Sequence, residues 1–322
     1  MRIIVIIGLS FICACTSSPS LYKYSGKTMG TSYHISTVGK AIDPAGIDSV
    51  LTVVNQSMST YIPNSSISSI NSSEDTVVVL GNDTHFMRVY AAANHVAEAS
   101  GGAFDFTVMP IVNYYGFGYE KPYQTPLKDW ESIVGYSKVQ ASLWDKKLIV
   151  KKQNSAVKMD FSAIAKGYGV DAVAQYLEAN GIVNFLVEIG GEVRCSGKND
   201  KSKIWRVGID KPTSNGDQRF QEIISLDNAS MATSGNYRNY KIIDGKKYVH
   251  TIDPRIGKPF KTDILSATVI HQDCMLADAY ATTLMVLGMD EVKAFIEKEN
   301  LKVFLIYDDQ GVVKTYNNFL EL

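Results

Sequence analysis

Asp278 is the one acidic residue in an apolar run, Cys274-Met275-Leu276-Ala277-Asp278-Ala279-Tyr280-Ala281-Thr282-Thr283-Leu284-Met285-Val286. The run predicts a helix over 273–287 that is apolar almost all round and therefore buried. A carboxylate there needs a basic partner or a cation, because an unpaired buried charge is costly. Thr282 lies one turn further along, on the same helix face. A carboxylate and a hydroxyl are hard oxygen donors, which suit Mg²⁺ rather than a soft metal. A second group sits in Tyr248-Val249-His250-Thr251-Ile252-Asp253-Pro254-Arg255-Ile256-Gly257. Imidazole titrates near neutral pH, so His250 is a candidate to position a hydroxyl or take its proton, with Asp253 or Asp278 as the alternative catalytic base. The bland reading is a turn in which Asp253 caps its own backbone and Arg255 is solvated. A third group is Lys166, in Asp160-Phe161-Ser162-Ala163-Ile164-Ala165-Lys166-Gly167-Tyr168-Gly169. A helix starting near Ser162 puts Lys166 about one turn in, close to free N–H groups that favour anions.

Other elements must hold these groups. The turn Asp244-Gly245 predicts a hairpin of 240–244 with 247–252, stopped by Pro254. The helix from Ser162 reaches Asn180 and ends at Gly181. Asp43-Pro44 opens a helix whose inner face is Ile47, Val50, Leu51, Val54 and Met58. Another helix spans 82–100, and a surface helix spans 290–300. Strands are expected at 28–37, 76–80, 148–151, 156–159, 183–189, 192–195, 204–210, 222–226, 264–270, 301–307 and 312–316. Ser100-Gly101-Gly102-Ala103-Phe104-Asp105 either lets a ligand approach bare backbone or caps a helix. Residues 228–235 read as a loop of small and hydroxylated side chains. Gly167-Tyr168-Gly169-Val170-Asp171-Ala172 matches the dinucleotide pattern G-x-G-x-x-A. A true fingerprint opens its helix directly after a strand, whereas this helix is under way by Ile164.

The chain has 322 residues, 45% of them hydrophobic, enough for a sizeable core. Its net charge of −1 offers no footprint for nucleic acid. Residues 3–14 are an apolar stretch too short to span a bilayer, as in an export signal. It ends Ile12-Cys13-Ala14-Cys15 and resembles a lipobox, so Cys15 is the expected lipidated residue. On this reading 1–15 is the signal, 16–20 a tether and 21–322 a single catalytic domain. The alternative is an ordinary signal peptide cleaved nearby; either way the protein is exported. Cys195 and Cys274 remain in the body, and two cysteines are no framework.

Met29-Gly30-Thr31, Ser59-Thr60-Tyr61, Gly101–Asp105, Asp160–Gly169, Glu188-Ile189-Gly190-Gly191-Glu192, Ala232-Thr233-Ser234-Gly235, His250–Gly257 and Asp278–Thr282 occur in one order across nearly all of the mature chain. Together they resemble the ApbE family, the FAD:protein FMN transferases, many of them bacterial lipoproteins. Phe161 and Ile256 look like tolerated variants. The resemblance implies an α+β fold of antiparallel sheets flanked by helices, two-lobed and related to the T-fold. It implies FAD contacts at Met29, Tyr61, Ala103, Phe104, Asp105, Asp160, Lys166 and Ile252. It implies a Mg²⁺ site of Asp278 and Thr282 with the backbones of Ala163 and Ala281. His250 matches the histidine beside the pyrophosphate. The implied reaction moves FMN from FAD to a threonine or serine hydroxyl of a partner protein and releases AMP. That partner would be a membrane electron-transfer subunit, met by an enzyme lipid-anchored to a bacterial membrane and facing the periplasm. Three other readings are an FAD pyrophosphatase giving FMN and AMP, a non-enzymatic FAD-binding lipoprotein, and a Rossmann-type oxidoreductase.

Overall fold

The computed structural model describes residues 19–118, 129–211, 220–235, 240–243, 246–249, 251–259 and 262–319. The chain opens with β1 (Leu21–Thr28), β2 (Thr31–Val38), α1 (Pro44–Met58), α2 (Ser66–Ser72), β3 (Val77–Gly81), α3 (Thr84–Ala99) and α4 (Met109–Tyr114). Next come β4 (Val139–Trp144), β5 (Lys147–Lys152), α5 (Ala165–Ala179), β6 (Phe185–Ile189), β7 (Glu192–Ser196), β8 (Trp205–Asp210) and β9 (Phe220–Leu226). Then follow β10 (Ser230–Gly235), β11 (Tyr240–Ile243), β12 (Lys246–Val249), β13 (Ile252–Asp253), β14 (Lys258–Pro259) and β15 (Ile264–His271). The last are α6 (Cys274–Lys298), β16 (Lys302–Asp309) and β17 (Val312–Asn317).

Eight strands form one antiparallel sheet in the order β1-β2-β6-β7-β10-β15-β16-β17. Side chains alternate across it. On β16, Val303 and Leu305 enter the main core, while Phe304 and Ile306 enter a second cluster on the other face. Helices α5 and α6 cover the first face. The β8–β9 hairpin covers the second with Trp205, Ile209, Ile224 and Leu226. Burial of each such large apolar side chain is worth about 1.5–3 kcal/mol. The smaller sheet, β3-β5-β4, lends Val78, Leu148 and Val150 to the main core, where Phe86 and Val89 of α3 also lie. The architecture is thus the expected α+β arrangement of antiparallel sheets with helices laid on them.

Helix signals act where the sequence puts them. Asp43 accepts from Ala45 N–H at 3.0 Å, with Pro44 as the first helical residue of α1. Asp83 caps α3 through Phe86 N–H at 2.8 Å. In α6, Gly288 has non-helical angles (φ 68°, ψ 174°), so two helices run end to end there. Among the described residues no helix is long and apolar enough to cross a membrane.

Several expectations differ from the structure. α5 starts at Ala165 and not near Ser162, so Lys166 is its second residue. The strand expected over 247–252 pairs with 240–243 only through Val249, while Ile252 and Asp253 pair with Pro259 and Lys258. Residues 28–37 are not one strand but the turn and second arm of the β1–β2 hairpin, with Met29 and Gly30 at positive φ. β1 is an edge strand with mostly wet side chains, so its apolar signal is weak. Residues 156–159 form no ladder. The side chain of Asn71 instead donates to Met159 C=O at 2.7 Å and accepts from its N–H at 2.8 Å. Residues 230–235 are not a loop but β10, a central strand between β7 and β15. Its small residues allow α6 to lie close against the sheet, and that packing outweighs their poor strand propensity.

Candidate active site

Helices α5 and α6 meet where glycine removes the obstacle. A Cβ on Gly167 would stand 2.3 Å from the carbonyl oxygen of Cys274, and one on Gly169 would stand 2.8 Å from Met29 Cε. The G-x-G-x-x-A stretch is therefore a packing face inside α5, not a nucleotide loop. Its Asp171 caps the next helix: it accepts from Cys274 N–H at 3.1 Å and Met275 N–H at 2.9 Å, and pairs with Arg194 at 2.8 Å. Asp273, at the N-cap position itself, makes no side-chain cap.

This crossing brings Lys166 of α5 to Asp278 of α6. Asp278 is 3% exposed, and its Oδ2 accepts from Gly167 N–H at 3.0 Å. Lys166 Nζ lies 3.6 Å from Asp278 Oδ1 and 3.0 Å from Glu192 Oε1. Burial opposes the charge on Lys166, but Asp278 and Glu192 outweigh it and hold the ammonium's pKa above normal. Burial, then the field of Asp278, pushes the Glu192 carboxyl well above its usual range, with Lys166 only partly compensating. Glu192 was absent from the expected site residues. Its signal was a carboxylate directly after Gly190-Gly191, in register with Arg194 on the face that α5 covers.

These groups line a cavity of about 870 Å³. Of the expected residues, Tyr61, Ala103, Phe104, Asp105, Asp160, Ala163, Lys166, Ile252, Asp278 and Thr282 are on its wall. Tyr61 stands out at 76% exposure. Asp105 is buried and accepts from Thr107 N–H (2.7 Å), Thr107 Oγ1 (2.6 Å) and Tyr136 N–H (2.7 Å). Burial still pushes its carboxyl upward, as it does that of Asp160. Thr282 Oγ1 lies 3.2 Å from Ser234 Oγ of β10.

Met29 and Ala281 are not on the wall. Met29 packs over Gly169, and the Ala281 methyl lies in the main core. Asp253 is 2% exposed and faces its own turn, accepting from Arg255 N–H at 2.9 Å. Arg255 is not simply solvated, since it also reaches Glu291 at 2.9 Å. His250 and Cys15 lie outside the described residues, but Thr251 and Ile252, next to His250 in the chain, line the cavity. Cys195 and Cys274 are both free and buried.

The donor chemistry suits a hard cation. Among the described residues no three His, Cys, Asp or Glu side chains converge as a metal cluster. The cavity lining does include Asp278, Thr282 one helical turn from it, Ala163 and a second acidic residue, Glu192. Oε2 of Glu192 is buried without a hydrogen-bond partner, so the corner keeps an oxygen that Lys166 does not satisfy. Oxygen donors of this kind fit Mg²⁺, with the Lys166 ammonium beside them.

The sequence pattern of the ApbE family matches residues 29–305. A protein of Haemophilus influenzae named FAD:protein FMN transferase is 37% identical over 325 residues, covering 97% of this chain and 94% of its own. One of the same name from Vibrio cholerae is 37% identical over 338 residues, covering 99% and 95%. Among solved structures, the flavin transferase ApbE from Vibrio cholerae superposes with a TM-score of 0.81 at 36% identity, over 94% of this chain and 98% of that one. The Pseudomonas stutzeri flavinyl transferase ApbE gives 0.82 at 28% identity, over 94% and 96%.

Proposed function

The chain belongs to the ApbE family, and from that premise we propose that it is an FAD:protein FMN transferase whose acceptor atom is a threonine or serine hydroxyl. The observation that carries this reading is the convergence of Lys166, Asp278 and Thr282 on one wall of a cavity of about 870 Å³. That wall suits the FAD pyrophosphate, and the space is of the size that takes a cofactor-sized ligand.

In the reaction, the acceptor oxygen forms a new bond to the FMN-side phosphorus. The pyrophosphate P–O bond breaks, and AMP leaves with the electron pair. Lys166 offers an ammonium N–H to phosphate oxygens. The exposed Tyr61 ring and the apolar wall at Phe104 and Ile252 hold ring systems by stacking and contact. His250 takes the hydroxyl proton; Asp253, turned toward Arg255, does not. Asp278 and Thr282, with the backbone carbonyls of Ala163 and Ala281, would hold Mg²⁺, which would supply positive charge to offset that of the phosphates. Cys15 carries the lipid that ties the enzyme to the membrane, facing the periplasm, where the acceptor is a membrane electron-transfer subunit.

Product stoichiometry tests the reading. One AMP should appear for each FMN attached to the acceptor protein. AMP and free FMN formed at the same rate without acceptor would replace transfer by hydrolysis. His250→Ala should bind FAD and transfer slowly, and an unchanged rate would remove His250 from the chemistry.

A further inference from the structure

The two contacts of Lys166 are unequal. Its ammonium is within hydrogen-bond distance of Glu192 Oε1, at 3.0 Å, but stands off Asp278 Oδ1 at 3.6 Å. The backbone of Glu192 is fixed without Lys166. The residue opens β7 directly after the Gly190-Gly191 turn, pairs across to Ile189, and is 3% exposed. The lysine stem runs beside this turn, with Lys166 Cδ 3.4 Å from the Cβ position of Gly190, an ordinary packing distance. Asp278 meanwhile accepts from Gly167 N–H at Oδ2, and its Oδ1 faces the longer gap.

We propose that Glu192 is a positioning residue for the cation site: it holds the Lys166 ammonium off Asp278, leaving that carboxylate available to a divalent cation. This rests on the metal reading given above. Without the Glu192 charge, Asp278 is the nearest anion to the ammonium. Lys166 then closes on it, and a divalent ion must displace a lysine already paired there. Glu192 thus acts through Lys166 and needs no contact with the metal.

A Mn²⁺ titration of the full chain without flavin, read by the loss of free-ion electron paramagnetic resonance signal, tests this. Glu192→Gln should weaken Mn²⁺ binding roughly tenfold, the scale seen when a group that orients a metal ligand is lost. Lys166→Met combined with Glu192→Gln should recover binding to within about threefold of wild type, because the competitor is gone. Glu192→Asp keeps the charge but withdraws it from Lys166, and should also weaken binding. Thermal melts of each variant without metal confirm that it is folded. Wild-type affinity in Glu192→Gln would overturn the proposal, and so would a double variant as weak as Glu192→Gln. Wild-type affinity in Glu192→Asp would reduce Glu192 to a distant field and also overturn it. A wild-type chain that takes up no Mn²⁺ would instead overturn the metal reading, and the role of Glu192 with it.

Discussion

Asp278 and Tyr61 make opposite demands on the chain. Asp278 is buried and held by Gly167 N–H, whereas Tyr61 is 76% exposed, so little of its side chain is packed into the fold. Asp278→Asn retains an oxygen for Gly167 N–H, so the fold should survive with a melting temperature close to wild type. Divalent-dependent transfer should vanish, and retained transfer would remove Asp278 from the metal site. Tyr61→Ala should leave the melt unchanged and weaken FAD binding by roughly 1 kcal/mol, the worth of one aromatic contact. Isothermal titration beside a thermal melt separates the two effects. At this scale much was legible: an acid in an apolar helix, a hydroxyl one turn on, a lysine near a helix start. Glu192 was not, because burial of a strand residue depends on which helix lies over it. His250 is legible only as a residue type, since its placement lies outside the described residues.

Helices α5 and α6 decide whether the site exists, because Lys166 and Asp278 belong to different helices and meet only through the Gly167 contact. Gly167→Ala must push α5 from α6. It should cost about 1–3 kcal/mol of stability and a larger share of activity than of folding. A chemical-denaturation curve paired with a transfer rate measures both, and full activity at reduced stability would show that the spacing is not critical. Asp171→Ala strips a cap from α6 and leaves Arg194 without a buried partner. The loss should be about 3 kcal/mol, read by the same curve. The starts of α1 and α3 were legible because Asp43-Pro44 and Asp83 announce them, whereas α5 begins three residues later than expected, at Ala165, without a side-chain cap. The strand β10 was not, since a run of serine, alanine, threonine and glycine has no strand pattern of its own. It becomes a strand because β7 and β15 flank it and α6 needs a thin layer beneath. The β1–β2 hairpin was half missed because an edge strand shows water most of its side chains.

The molecule as a whole is a two-faced antiparallel sheet that spends one face on packing and gives the other to two helices and a cavity. Neither propensity nor periodicity could specify a cavity whose wall combines Tyr61, Asp105, Lys166, Ile252 and Asp278 from widely separated parts of the chain. The family resemblance supplied that list, and the geometry gathers most of it at one wall. The most direct test of FMN transfer is the intact mass of a candidate acceptor protein after incubation with the enzyme, FAD and Mg²⁺. The account predicts a gain of one FMN on the acceptor, abolished by chelator and by Asp278→Asn. An acceptor of known competence that gains no mass, or gains it equally in chelator, would contradict it.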